Sequence, residues 1–164
     1  MKGFGSYNKA IRQLGIAFIA MGLTFTACSG QTKKGTNKIT KKVTTMKTIH
    51  LTKADFIKKV ANYEANPKEW KYLGDKPAII DFFADWCGPC KALAPTMEQL
   101  AEEYGGKIYI YEVNVDEEQE LASLFGVQSI PTLLYIPMNG KPQTSVGLVS
   151  KPAIKETIDN FLLK

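Results

Sequence analysis

An α/β domain with a central mixed β-sheet and helices on both of its faces is expected from three features of the chain. Between Thr48 and Leu163, β-branched and aromatic runs alternate with stretches of helical periodicity. The run Ala78–Ala84 is apolar on both faces except for Asp81, the pattern of a strand covered on both sides. A βαβ order is followed by a hairpin and a last helix, which joins parallel and antiparallel strands in one sheet.

The elements follow in order. Thr48 to Leu51 reads as a short strand. Thr52, with Asp55 three residues on, suits a helix start, and that helix is expected to reach Asn62. Residues 65–76 contain Asn66-Pro67 and Gly74, with Pro77 next, and read as a loop with a short helix around Lys68–Tyr72. Ala78–Ala84 is the buried strand. Gly88–Tyr104 is a helix kinked at Pro95 and ended by Gly105-Gly106. Lys107–Val115 is a second long strand, and Glu117–Phe125 is a helix stopped at Gly126. Thr132–Ile136 and Gln143–Leu148 form a hairpin about Met138-Asn139-Gly140-Lys141. Lys151–Leu163 is an amphipathic last helix. Trp70, Tyr72 and Pro67 are either cover for the core or a second site.

The chain has 164 residues and a formal charge of +5, but the charge is unevenly placed. Residues 1–45 carry eight Lys or Arg and no acid. The remainder carries 13 basic and 16 acidic residues. The folded part therefore has no basic excess that would suit nucleic acid, and no nucleic-acid partner is expected.

Residues 1–27 resemble an export signal of the lipoprotein type. Lys2, Lys9 and Arg12 precede the apolar or small run Leu14–Ala27. As a helix this run would span about 21 Å, short of the roughly 30 Å hydrocarbon core. It ends at Phe25-Thr26-Ala27-Cys28, which resembles a bacterial lipobox with Cys28 as the lipidated residue. Phe25 departs from the aliphatic residue usual in that motif. Plain secretion and an uncleaved anchor are the other readings. Residues 28–46 are rich in Lys, Thr, Gly and Asn and read as a lipid-anchored, solvated linker. The domain proper is 47–164. A location in the bacterial cell envelope, facing the periplasm and tethered to a membrane, follows from this reading.

Trp86-Cys87-Gly88-Pro89-Cys90 lies between a strand and a helix. In a first helical turn, side chains at i and i+3 lie about 5–6 Å apart, within the range a disulfide can close. The pair can alternate between dithiol and disulfide with little backbone movement. A helix N-terminus favours the thiolate, the form that attacks disulfides, and Cys87 stands at that terminus. Cys90, about one turn inside, is expected to be more protected and to resolve the mixed disulfide. A structural disulfide is the plainer alternative, although so short a loop constrains the unfolded chain little. A zinc site lacks ligands, since the chain has only His50 and no second cysteine pair.

Trp86-Cys-Gly-Pro-Cys90-Lys91, Asp81, Ile130-Pro131-Thr132 and Gly147 stand in the order and spacing of the thioredoxins, and residues 48–164 resemble that family. The resemblance implies a thioredoxin fold and thiol–disulfide exchange on protein substrates by a monomer with no bound cofactor or metal. It implies that Asp81 is a buried carboxyl that exchanges protons with Cys90; an edge position facing water is the other reading. Ile130-Pro131 resembles the family's cis-proline turn, where exposed backbone can pair with an extended substrate. Trp86, Gly88, Pro89, Gly147 and Leu148 would complete the substrate-binding rim, with Trp86 as core residue the alternative. Ile130 before the proline resembles reductive members more than oxidases. The expected function is reduction of disulfides in exported proteins, with electrons from a membrane-embedded donor. An envelope oxidant, or a disulfide-locked peptide-binding holdase, is the alternative.

Two departures stand out. Phe83 replaces a frequent Trp. Glu112 occupies a position where many thioredoxins carry Lys. Strand alternation puts Glu112 on the face of Ile108 and Ile110, so it either joins Asp81 in a proton relay or points to solvent.

Overall fold

The computed structural model describes residues 47–164. The segments expected to be an export signal, 1–27, and a linker, 28–46, with Cys28, lie outside the described residues.

The elements are β1 (Ile49–His50), α1 (Lys53–Lys59), β2 (Ala78–Phe83), α2 (Gly88–Glu103), β3 (Tyr109–Asn114), α3 (Gln119–Leu124), β4 (Thr132–Ile136), β5 (Gln143–Val146) and α4 (Lys151–Thr157), which continues as a wider π-type turn, Ile158–Leu162. The five strands form one mixed sheet in the order β1-β3-β2-β4-β5. β1 and β2 run parallel to β3; β4 runs antiparallel to β2 and β5.

β2 is central, which explains its apolar composition on both faces. Ile79 points into a core with Leu93, Met97 and Leu100 of α2 and Ile154 of α4. Ile80 and Phe82 point into the other, with Phe56 of α1 and Leu121 of α3. Each such fully buried side chain stabilises the fold by about 1.5–3 kcal/mol. Asp81 falls on the α2 and α4 side by strand alternation. It is only 3% exposed, so the water-facing edge reading is excluded.

α1 begins as expected, with the Thr52 hydroxyl accepting from the Asp55 N–H at 3.2 Å. It ends at Lys59 and not at Asn62, because Asn62 caps the next turn instead and accepts from the Ala65 N–H at 2.9 Å. No helix forms over Lys68–Tyr72. Between Pro67 and Gly74 the chain is too short to repay helix nucleation. The segment is held by its ends, through the Leu73 N–H on the Val60 carbonyl and the Tyr72 hydroxyl on the Lys76 carbonyl. Trp70 packs against Phe125 beside Phe56 and Phe82, so this segment covers the core. α2 runs as one element through Pro95, which is exposed. β5 stops at Val146, where Gly147 takes a positive φ of 89°.

Candidate active site

β2 delivers the chain to the site and α2 carries it away. Asp85 and Trp86 turn the chain after β2, Cys87 caps α2, and Gly88 and Pro89 form its first turn. Pro89 fits there because the first helical N–H groups need no helical partner. Cys87 and Cys90 are joined in a disulfide with their Cα atoms 5.3 Å apart. The Cys87 Sγ accepts from the Cys90 N–H at 3.1 Å, taking the place of a capping oxygen.

The expectation that Cys90 is the more protected of the two is not met: both residues are 3% exposed. What separates them is surroundings. Cys87 lies at the N-cap, where the N-terminus of α2 favours negative charge. Cys90 lines a cavity of about 240 Å³ together with Asp81, Ala84, Asp85, Lys91 and Glu112.

Asp81 Oδ1 is buried and has no hydrogen-bond partner among the described residues. Burial, with the Glu112 carboxylate second, raises its pKa from 3.8 to about 7. Glu112 sits opposite Asp81 in the β2–β3 register and is half-buried, so it faces the cavity and not open solvent. Burial also pushes Glu112 up, assisted by Glu98 and opposed by the Thr48 hydroxyl and His50. The Thr48 hydroxyl donates to Glu98 Oε1 at 2.8 Å.

A separate groove of about 370 Å³ is lined by Trp86, Val115, Val127, Gln128, Ser129 and Ile130. The Ile130-Pro131 peptide is cis, and Ile130 packs against Ala84 and the two cysteines. Trp86 is 69% exposed, which excludes the core reading. Its indole N–H donates to Asp116 Oδ2 at 2.8 Å, and the Asp116 N–H is held by Asn114 Oδ1. Gly147 and Leu148 do not line this groove. They adjoin it through the Gly147 N–H on the Pro131 carbonyl at 2.8 Å, and Leu148 is exposed. Phe83 packs beside the disulfide.

Sequence reasoning missed Asp116 and the 127–129 wall of the groove. Asp116 carries a local signal in hindsight, since an Asn-x-Asp turn directly after a strand fixes a side chain. Nothing in the 127–129 stretch marks it as a surface for binding.

The family description for thioredoxin matches residues 47–160. The chain belongs to the thioredoxin family. It is 50% identical over 113 residues to the thioredoxin of Borreliella burgdorferi, covering 69% of this chain and 96% of that protein. It is 46% identical over 84 residues to thioredoxin of Bacillus subtilis, covering 51% and 81%. Against the chloroplastic thioredoxin M-type of Spinacia oleracea the identity is 36%, over 60% of this chain and 56% of that protein. The chain is thus a thiol–disulfide oxidoreductase, a protein-disulfide reductase of the thioredoxin type.

Proposed function

We propose that this thioredoxin reduces disulfides of exported proteins at the envelope, from a lipid tether at Cys28. The cycle starts from the dithiol. The Cys87 thiolate attacks one sulfur of a substrate disulfide, a mixed disulfide forms, and the substrate's other sulfur leaves as a thiolate. Cys90 then gives its proton to Asp81, and its thiolate attacks the Cys87 sulfur. The second substrate thiolate leaves, and the Cys87–Cys90 disulfide remains. Two electrons pass to the substrate, and a dithiol donor must return them.

The observation that carries the reading is the asymmetry of the pair. Cys87 caps a helix, while Cys90 shares a cavity with a carboxyl whose pKa lies near 7. A group with that pKa accepts a thiol proton at neutral pH and releases it again. Trp86, Gly88, Pro89, Ile130 and Pro131 would present an apolar rim, with free backbone at Ile130, to an extended substrate, and Gly147 and Leu148 would border it, the Gly147 N–H already bonded to the Pro131 carbonyl. Glu112 joins Asp81 as a coupled pair, so protons are shared between them.

Export and the tether rest on Lys2, Lys9, Arg12, the run to Ala27 and Cys28. The envelope is oxidising, so a reductant there needs electrons from a membrane-embedded partner. The test is the redox state of Cys87–Cys90 in living cells, read by thiol alkylation. A largely reduced pair supports the reductase, and a fully oxidised pair would favour an envelope oxidant. A holdase would be separated by insulin reduction with dithiothreitol, since Cys87→Ser abolishes catalysis but leaves binding intact.

A further inference from the structure

Asp81, Glu112 and His50 occupy one rung of the sheet. Asp81 pairs with Glu112 across β2 and β3, and Glu112 pairs with His50 across β3 and β1. Residues at one register of a parallel sheet point to the same face, with strands about 4.8 Å apart. The flanking residues agree: Ile49 and Leu51 belong to the opposite core, as do Tyr111 and Val113. The three side chains therefore lead sideways from the disulfide toward the β1 edge, over roughly 10 Å.

Exposure rises along this rung. Asp81 is 3% exposed, Glu112 is half-buried, and the His50 side chain is 51% exposed. His50 is the sole histidine of the chain. Imidazole is the side chain suited to taking up and giving off protons near neutral pH. At the inner end, Asp81 Oδ1 has no hydrogen-bond partner among the described residues. The adjoining cavity, about 240 Å³, is roomy and polar enough to hold water that would bridge the carboxyls.

We infer that His50 is the outer terminus of a proton path, from Cys90 through Asp81 and Glu112 to solvent, that serves the resolving step. The inference rests on the assignment of Asp81 as the acceptor of the Cys90 proton. As the Cys90 thiolate forms, Asp81 takes the proton. Glu112 relays it through water, and His50 passes it to bulk water, so no group gains net charge over a cycle. The other groups facing this path are Glu98 from α2 and Thr48 beside β1, already bonded to each other, Asp85 and Lys91 lining the cavity, and Glu117, whose carboxylate is 3.6 Å from His50 Nε2. His50 acts through Glu112 and is a positioning and relay residue.

The test is single-turnover kinetics of the full chain, reduced and mixed with a disulfide peptide in weakly buffered solution from pH 5 to 8. His50→Gln should leave mixed-disulfide formation by Cys87 unchanged. It should slow resolution by about threefold to tenfold, well below the roughly 10²-fold loss from removing a direct base. Added imidazole should restore the rate, which it would not do for a merely structural defect. Resolution by His50→Gln at the wild-type rate without imidazole overturns the path, and so does a slowed rate that imidazole fails to raise. Asp81→Asn, run in parallel, isolates the underlying assignment. If Asp81→Asn also resolves at the wild-type rate, the acceptor role itself fails; if it alone is slow, only the path through His50 fails.

Discussion

Asp81 and Glu112 stand opposite one another on adjacent strands, and both line the cavity that Cys90 shares. Two carboxyls so placed cannot both ionise cheaply. Glu112 thus reinforces the effect of burial on Asp81, where a lysine would oppose it. The proton inventory beside the inner cysteine therefore rests first on the burial of Asp81 and second on Glu112.

Asp81 makes stability depend on pH. Its pKa is 3.8 in an ordinary setting and about 7 in the fold. The folded chain therefore binds this proton more tightly than the unfolded chain. Its contribution is fully present below about pH 4 and is lost as pH rises through 7, by up to about 4 kcal/mol. Asp81→Asn should gain on the wild type by up to that amount between pH 4 and 8, read from urea midpoints of the oxidised protein. A difference that does not change with pH would contradict the assignment.

Glu112→Gln removes the neighbouring negative charge, and the Asp81 pKa should fall modestly because burial remains its larger cause. Alkylation of Cys90, with Cys87 replaced by Ser, should then follow a pH profile shifted to lower pH. An unchanged profile rejects any role of Glu112 in the relay.

Asp116 should matter for protein substrates. Its hydrogen bond orients Trp86 at the mouth of the groove. One such bond at an exposed site contributes about 1 kcal/mol. Asp116→Ala should lower kcat/KM for insulin by about fivefold or less, mainly through KM. Stability by thermal melting should stay near wild type. An unaltered KM would show that the indole needs no anchor.

Cys28→Ala should abolish incorporation of a radiolabelled palmitate analogue in cells and release the protein from membranes. Retained label would refute the lipid tether while leaving the redox domain untouched.

Much of this was legible in the chain. The run Ala78–Phe83, apolar on both faces but for Asp81, announced the central strand, because a strand covered on both sides dispenses with a polar face. Thr52 marked a helix start through local chemistry that tertiary structure did not override, whereas the strand expected to run through Gly147 to Leu148 ends at Val146, because Gly147 takes a positive φ. The misreadings lie where packing decides. The stretch around Trp70 and Tyr72 reads as a short helix, but their rings pack into the core with Phe125 and Tyr111, and the backbone follows them. Relative shielding of Cys87 and Cys90 depends on Ile130 and Phe83, brought in from distant elements. Asp116 reaches Trp86 across 30 residues, a pairing no local pattern encodes. The same holds for the rung from Asp81 to His50, which exists only once β1, β3 and β2 are laid side by side.

The most direct test of the exchange mechanism is trapping of the mixed disulfide. The Cys90→Ser protein, reduced and incubated with insulin, is resolved by non-reducing electrophoresis and mapped by mass spectrometry. A covalent adduct through Cys87 should accumulate, and Cys87→Ser should yield none. An adduct of equal yield through Cys90 in Cys87→Ser, or none in either protein, would contradict the assignment of Cys87 as the attacking residue.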